Sequence, residues 1–536
     1  MHLLTLLAFA VLFAEAESPG RWRWVPETDV AWTATVVGLQ FPLVAAAGWL
    51  AARRARRLWR QRADAPHVAY QFHQRAGAIL RATVLFGFGA SVFLTRWPGW
   101  LQLGHVSPFV QIFGDVVAFL PYVVGMLITW RMAYPTEQMF RGDLLPAPLP
   151  PAPRTEEVLP SNAVGPAPAD ERNGFCDVTN DAPRWSLRSY LGFHLRHDVL
   201  VIAVPMTCIL FAANVIRAYD ASLAGLLGGP FAPDVCLGAW AAAVFVASPV
   251  LLRRIWRTVP LAPGPVRSRL EGLCQRIGLR VRDILVWHSE GMMINAAVMG
   301  IFAPVRYVLL SDALLGSMDP RQVEAVFGHE AGHVRHRHIQ NLLLFALVGW
   351  LLVAGLMELT AHWSVRATGA SSLARRLVEC VGVVAAAAFW GIGFGWLSRR
   401  FERQADLFGA RCATPQPADA CRLPCAVHRG NASPMEGCGR VCATGAALFA
   451  SALDRVALLN GIPYEERSWR HSSIGSRIRF LRALAGDPAQ AARFERQLGW
   501  CTRGLRIAAV LGLLTAGAYW MIVDQPAILQ LQRATG

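Results

Sequence analysis

Long runs of apolar residues recur along this 536-residue chain, and they constrain its fold more than any other feature. A helix needs about 20 apolar residues to cross a bilayer, because the hydrocarbon core is about 30 Å thick. Eight runs approach that length: Val30 to Ala52, Ala76 to Leu94, Ser107 to Trp130, Val199 to Ile216, Val235 to Leu252, Leu342 to Met357, Leu377 to Leu397 and Ile507 to Val523. The sequence therefore predicts a mainly α, polytopic α-helical membrane protein with about eight spans.

Clusters of arginine at the ends of these runs predict how the chain is oriented in the membrane. Six arginines lie between positions 53 and 62, directly after the first run. Because positively charged connections stay on the cytosolic side, this cluster and those at 253–257 and 399–403 are predicted to face the cytosol. The sequence thus predicts an integral, multi-pass protein of a bacterial-type inner membrane. Its net charge of +16 is attributed to contact with anionic lipids of the bilayer, and no nucleic-acid partner is predicted.

The apolar runs, a proline-rich stretch and the polar regions between them divide the chain into six segments. The predicted segments are residues 1–29, a signal peptide or membrane anchor; 30–142, membrane helices; 143–176, a Pro/Ala-rich linker; 177–260, membrane helices; 261–500, a domain interrupted by spans at 342–357 and 377–397 and by a cysteine-rich insert at 412–442; and 505–536, the last span and the tail. The linker favours extended polyproline geometry and is not expected to pack.

The segment 261–500 carries signals for both strands and helices. Strands are predicted at Val281 to Trp287, Met292 to Met299 and Arg306 to Leu310. Asp319 followed by Pro320 is typical of a helix start, with the aspartate as the N-cap and the proline in the first turn. We therefore expect a small α+β domain at the cytosolic face of the membrane.

The helix predicted after Pro320 contains the sequence H-E-A-G-H at 329–333. Residues four apart lie on one face of a helix, so the imidazoles of His329 and His333 are aimed at one point. Zinc prefers nitrogen ligands in a tetrahedral arrangement, and a catalytic site keeps one position for a water that Glu330 could deprotonate. The H-E-x-x-H pattern is typical of metallopeptidases.

Two histidines cannot hold a catalytic zinc alone, so a third ligand is needed. His336 lies two helical turns from His329, which separates the side chains by about 10 Å. This distance is too long for two ligands of one zinc ion. In an unbroken helix His338 lies on another face, and Ile339 stands where a metzincin would have its third histidine.

Glu402 is the better candidate for the third ligand. It follows the seventh apolar run, so two antiparallel spans would return the chain to the membrane face that holds His329. Asp406 lies one turn further along the same helix face. There it could accept a hydrogen bond from the free N–H of a ligand histidine and fix its tautomer.

The order of these motifs resembles that of the integral-membrane zinc metallopeptidases typified by the CAAX prenyl protease and the bacterial HtpX protease. The shared order is H-E-A-G-H, two membrane helices, F-E-R-Q-A-D and a segment from His471 to Ile478. The resemblance covers roughly Leu261 to Leu484. It implies a small, zincin-like α+β catalytic domain that hydrolyses peptide bonds with one zinc per catalytic site. The zinc ligands would be His329, His333 and Glu402, and Glu330 would be the general base.

The resemblance also implies roles for residues away from the metal. Asn295 and Ala296 would lie on an edge strand beside the cleft and bind substrate. His471 and Arg477 would contact substrate or stabilise the oxyanion. The family usually has proline after the equivalent of His471, and Ser472 stands there in this chain.

The cysteine-rich insert contains two pairs of cysteines, each with three residues between its members: Cys421 and Cys425, then Cys438 and Cys442. Disulfides are disfavoured in a reducing cytosol. A structural four-cysteine zinc site is therefore one hypothesis for a second metal. Free thiols and a redox-dependent clasp are the alternatives.

Three functions are compatible with these patterns. The first is a membrane-embedded zinc-dependent metalloendopeptidase that cleaves protein or peptide substrates, membrane-associated ones above all, in the quality control of membrane proteins. The second is a signalling membrane protease with a specific target. The third is a non-catalytic polytopic protein with a structural zinc site. None of the patterns predicts an oligomeric state.

Overall fold

The structure, a computed structural model, gives positions for most of the chain. It describes residues 2–17, 29–62, 66–102, 107–144, 186–227, 232–289, 291, 293–368, 381–382, 384–385, 388–414, 441–466 and 470–519. The chain divides into two compact units, residues 1–258 with 287–290 and residues 259–286 with 291–536.

The first unit is built of helices. They are α1 (His2–Glu17), α2 (Val30–Gln61), α3 (Pro66–Phe93), α4 (Trp97–Trp100), α5 (Gln111–Leu144), α6 (Leu187–His194), α7 (Val201–Ala218), α8 (Asp220–Leu227) and α9 (Ala232–Ile255), with a π-helical stretch at Leu195–Leu200. Residues 2–17 of the predicted signal or anchor segment form α1. Its Phe9 ring lies 4.3 Å from that of Phe119, and its Thr5 hydroxyl is 3.1 Å from the Tyr122 hydroxyl. The predicted linker at 143–176 lies outside the described residues, apart from the end of α5.

Seven helices in the described part of the chain are long and apolar enough to cross a membrane. They are Val30–Gln61, Val68–Phe93, Gln111–Phe140, Leu187–Ala218, Ala232–Ile255, His338–Leu356 and Ala489–Tyr519. The span predicted at 377–397 is described only in part, at residues 381–382, 384–385 and 388–397. The prediction of a mainly α, polytopic membrane protein is thus confirmed, and the chain is a multi-pass membrane protein.

The second unit contains the predicted sheet. Its strands are β1 (Thr258–Pro260), β2 (Asp283–Trp287), β3 (Ala296–Met299) and β4 (Tyr307–Ser311), in the order β1-β2-β4-β3. The edge strand β3 pairs antiparallel with β4, with Ala296 opposite Leu310. The three predicted strands are confirmed within a few residues. Strand β1 was not predicted, because three residues are too short to show an alternating pattern.

The described part of the second unit also contains helices. They are α10 (Pro265–Ile277), α11 (Asp312–Ser317), α12 (Pro320–Arg335), α13 (His338–Thr368), α14 (Gly395–Cys412), α15 (Ala443–Leu459), α16 (Ile474–Gly486) and α17 (Pro488–Tyr519). Of these, α11 and α12 contact the sheet. Helix α12 starts as predicted. Asp319 accepts a hydrogen bond from the Arg321 N–H, and the Asp319 N–H donates to the Gln322 side chain. This capping box satisfies backbone groups that the first turn would otherwise leave unpaired.

Small residues bring α12 and α14 close together. Gly328 and Gly332 on α12 face Ala405 and Gly409 on α14. A methyl group at position 332 would lie 3.1 Å from the Ala405 Cα, and one at position 409 would lie 3.0 Å from the backbone nitrogen of His329. The two backbones therefore pack without intervening side chains. This close approach carries Glu402, on the preceding turn of α14, to the histidines of α12.

Adding a methyl group at position 409 should loosen this contact. We expect Gly409→Ala to destabilise the second unit by about 1–3 kcal/mol, the usual cost of overpacking. The new methyl would also lie 2.7 Å from the Phe449 ring. The measurement is the apparent midpoint of thermal unfolding of the full chain in detergent micelles.

The matched control is Gly499→Ala in α17, where a methyl group meets nothing within 4 Å. There the same substitution should stabilise the helix by up to about 1 kcal/mol, because alanine has the higher helix propensity. Equal midpoints for the two variants would contradict the proposed close contact.

Candidate metal centre

Three donor side chains converge where α12 meets α14. His329, His333 and Glu402 each offer one ligand atom, and these three atoms lie within 4.8 Å of one another. The two Nε2 atoms are 3.2 Å apart, and they lie 3.7 Å and 3.8 Å from the Glu402 carboxylate oxygens. Ligands placed about 2 Å from a tetrahedral zinc lie about 3.3 Å from each other. The three residues could therefore hold a metal ion and leave a fourth position for water.

Glu402 is held as an anion in this site. It is 7% exposed, and burial alone would raise its pKa. The hydrogen bond from His471 and the positive charges of His329 and Arg477 outweigh burial and hold the pKa well below its usual range. The carboxylate is thus already in the charge state that a metal ligand needs.

Asp406 contacts the side of His329 that faces away from the donor cluster. Its Oδ1 lies 2.9 Å from Nδ1 of His329, and the residue is fully buried. Burial opposes ionisation, but Arg477 and His329 lower the pKa of Asp406 below its usual value. An ionised Asp406 at this distance would favour the histidine proton on Nδ1 and leave Nε2 for a metal. The sequence predicted that Asp406 would lie beside a ligand histidine, and its role in fixing the tautomer stays a prediction.

Arg477 reaches the site from the first turn of α16. Its Nε donates to Oδ2 of Asp406 at 2.8 Å, and its Nη2 donates to Oδ1 at 2.5 Å. The same Nη2 lies 3.8 Å from Glu402, and the side chain is 9% exposed. The guanidinium therefore lies against two carboxylates. Its direct contact with substrate, which the resemblance implied, stays a prediction.

His471 lies on the exposed side of the cluster. Its Nδ1 is 3.1 Å from Oε2 of Glu402, and its side chain is 47% exposed. The turn that carries it lacks the proline of the family pattern. Ser473 shapes this turn instead, accepting a hydrogen bond from the Ser476 N–H and donating one to Glu465. The serine turn keeps His471 next to the donor cluster.

Glu330 follows His329 on α12 and is the nearest group that could move a proton. Burial raises its pKa to about 7, with the Glu402 charge adding to the rise and His329 opposing it. The backbone N–H of Val298 on β3 also lowers the pKa. A carboxyl group that titrates near neutral pH can both accept a proton and return it.

The predicted substrate-binding residues lie at the edge strand, which packs against α12. Asn295 is exposed just before β3, and its backbone N–H and C=O both pair with Ser311 on β4. The side chain of Ala296 is 5% exposed and belongs to the hydrophobic core. Any contact between Ala296 and a substrate would therefore use its backbone. Substrate binding by these two residues stays a prediction.

The prediction that His338 lies on another face, away from the metal ligands, is wrong. The sequence predicted one continuous helix from Pro320 into the membrane, but α12 ends at Arg335 and α13 begins at His338. Arg337 between them has a left-handed backbone with φ of 55°. This break turns His338 back toward the site, where its Nδ1 lies 2.9 Å from Nδ1 of His333. No local pattern in the sequence indicates that break.

Most of the cysteine-rich insert lies outside the described residues, including Cys421, Cys425 and Cys438. Cys442 is described, and it lies fully buried at the residue before α15. The four-cysteine metal site therefore stays a prediction.

Comparison with known proteins connects this geometry to a family. Residues 260–463, which hold both histidines and Glu402, match the model of peptidase family M48. This segment belongs to peptidase family M48. The chain therefore contains a peptidase segment of the metallopeptidase class, as the H-E-x-x-H motif predicted.

Two relatives that match by sequence agree with this assignment. An HtpX protease homologue from Aeropyrum pernix is 25% identical over 262 residues, which are 44% of this chain and 81% of the relative. CAAX prenyl protease 1 from Saccharomyces cerevisiae is 28% identical over 99 residues, which are 18% of this chain and 22% of the relative. The crystal structure of S. mikatae Ste24p superposes with a TM-score of 0.45 at 14% identity, over 85% of this chain and all of that one.

The coverage of the relatives varies widely. The chain spans most of the Aeropyrum relative, but only 30% to 35% of the length of four further HtpX homologues. Residues 1–258, the larger part of the first unit, lie outside the residues that the family model matches.

Proposed function

We propose that this M48 peptidase is a zinc-dependent endopeptidase that cleaves membrane-associated proteins at the cytosolic face of the membrane. The observation that carries the proposal is the convergence of His329, His333 and Glu402, with Glu330 adjacent to the first histidine. Two imidazoles and one carboxylate form a donor set that suits zinc and leaves a position for water. Structural zinc sites usually have four protein ligands, so this set favours catalysis over a structural role.

Each residue near the metal then has a defined task. When bound, zinc would polarise the scissile carbonyl and lower the pKa of its water. Glu330 accepts the proton of that water and returns it to the departing amine. Asp406, held by Arg477, fixes the tautomer of His329. His471, exposed beside Glu402, is placed to donate a hydrogen bond to a substrate oxygen.

The position of the site in the chain supports a membrane-associated substrate. The candidate span His338–Leu356 begins five residues after His333, so the metal would lie near the membrane surface. Arg400 on α14 lies 4.4 Å from the ring of Trp396, and Arg503 on α17 lies 5.9 Å from that of Trp500. Tryptophan and arginine at the ends of spans are typical of contacts with lipid headgroups. The arginine clusters support a cytosolic orientation in a bacterial-type inner membrane.

Removing the metal should abolish cleavage. Purified full-length protein in detergent micelles should contain one zinc at this site and cleave an unfolded, casein-like substrate. We expect a zinc chelator to remove at least 99% of this activity, since metal and Glu330 act as one unit, and added zinc to restore it. The measurement is the initial rate of cleavage at each step together with metal content by mass spectrometry. Full activity of metal-free protein would contradict the proposal.

A signalling protease would differ from a quality-control protease in having a single specific target. Membrane proteomes of wild-type cells and of cells carrying Glu330→Gln can be compared. Quality control predicts that many membrane proteins accumulate in the variant. A single uncut protein would instead favour the signalling role.

A further inference from the structure

A third histidine lies directly behind the candidate metal ligands. His338 is 2% exposed, and its ring stacks on that of Phe401 with centroids 4.2 Å apart and an angle of 7° between the planes. Its Nδ1 lies 2.9 Å from Nδ1 of His333, and its Nε2 lies 2.9 Å from Oε1 of Gln404. Both ring nitrogens therefore have a partner, and the stacking fixes the plane of the ring.

The backbone around His338 is built to hold it there. Arg337 adopts the left-handed conformation that L-residues other than glycine rarely adopt. The Asn341 side chain donates to the carbonyl oxygen of His336, and the Asn341 N–H donates to that of Arg337. In an unbroken helix, residue 338 would point about 140° away from residue 333. The turn brings the two imidazoles together instead.

The hydrogen bonds fix the direction in which every proton points. A neutral imidazole has one N–H donor and one bare nitrogen acceptor. If Nε2 of His333 gives its lone pair to a metal, its Nδ1 carries the proton and donates to Nδ1 of His338. The proton of His338 must then lie on Nε2, where it donates to the amide oxygen of Gln404. One arrangement of protons satisfies all three side chains.

We propose that His338 and Gln404 are positioning residues that hold His333 in its metal-binding tautomer. This inference rests on the proposed function, because it assigns His333 to the metal. It gives the two ligand histidines different supports. His329 is held by the buried anion Asp406, whereas His333 is held by a neutral chain of two hydrogen bonds. Both supports end on α14, the helix that also supplies Glu402.

The test is the zinc dissociation constant of the purified full-length protein, measured by competition with a chelator. His338→Leu removes the acceptor, and we expect zinc to bind about 10–100-fold more weakly, the usual effect of losing such a partner. His338→Asn should recover most of this loss, because its Oδ1 occupies nearly the position of the imidazole Nδ1. Gln404→Glu should bind zinc more tightly than wild type, since a carboxylate accepts more strongly and makes His333 more basic.

His336→Leu is the matched control. This histidine lies in the same turn, and its ring lies 5.8 Å from that of His338 and 5.6 Å from that of Phe408. Unlike His338, its Nε2 has no hydrogen-bond partner among the described residues. Its replacement should leave the zinc dissociation constant unchanged. Thermal midpoints of the metal-free variants separate loss of folding from loss of metal.

The outcomes separate this inference from the proposed function. Equal zinc affinity in wild type, His338→Leu and His338→Asn would overturn the positioning role. So would an equal loss in both variants, because it would show that only the ring volume matters. Zinc affinity that is unchanged in His333→Ala would instead overturn the metal site itself, and with it the proposed function.

Discussion

Replacing Glu330 with glutamine should lower the rate of peptide cleavage by about 10²–10⁴-fold, the usual contribution of a general base. Glutamine keeps the size of the side chain and a hydrogen-bonding oxygen, but it cannot accept a proton at neutral pH. The three donor side chains are unchanged, so zinc content should stay at the wild-type value. The measurements are kcat/KM on a casein-like substrate and metal content of the same preparation.

Glu324→Gln is the matched control for this variant. Glu324 lies on α12 as well, but its carboxylate pairs with Arg276 at 2.7 Å and with Arg269 at 3.6 Å. Glutamine can still accept the hydrogen bond from Arg276, so activity should stay near that of wild type. If Glu330→Gln with zinc bound cleaves as fast as wild type, Glu330 is not the base.

Replacing Glu402 with alanine should weaken zinc binding by more than about 100-fold. Loss of a group that only supports a ligand costs about 10–100-fold, and Glu402 is proposed to be a ligand itself. The carboxylate also balances the charges of Arg477 and His329, so the variant leaves a buried cation with one partner fewer. The measurement is the zinc dissociation constant by chelator competition, with cleavage rate as a second readout.

A carboxylate on another helix facing α14 provides the control. Glu495 on α17 accepts hydrogen bonds from Arg411 of α14 at 2.7 Å and 3.1 Å. Arg411 lies more than two helical turns beyond Glu402 on α14. Glu495→Gln should leave zinc affinity unchanged. Equal affinity in wild type and Glu402→Ala would remove Glu402 from the coordination sphere.

The two histidine ligands could be predicted because the sequence pattern that indicates them is local. The spacing of His329 and His333 places them on one face of a helix, and Asp319 with Pro320 indicates where that helix starts. Glu402 is 69 residues beyond His333, and it was predicted because two spans return the chain to one membrane face. The small residues that bring its helix close, Gly332 and Gly409, are visible in the sequence but gain meaning only once the two helices are known to pack.

The rest of the site depends on tertiary contacts that leave no periodic signal. The contact between His338 and His333 exists because one residue, Arg337, adopts a left-handed conformation, and arginine gives no indication of this. Arg477 lies 71 residues after Asp406, so their pairing could not be read from spacing. The resemblance placed Arg477 at the site, but the contact with Asp406 became evident only in the structure.

X-ray absorption spectroscopy at the zinc edge of the loaded, purified protein tests the coordination sphere most directly. We predict two imidazole nitrogens at about 2.0–2.1 Å and oxygen ligands at about 2.0–2.2 Å from zinc. Replacing His333 with alanine should remove one imidazole from the spectrum. Sulfur as the dominant ligand at about 2.3 Å, or a spectrum unchanged by that replacement, would contradict the account.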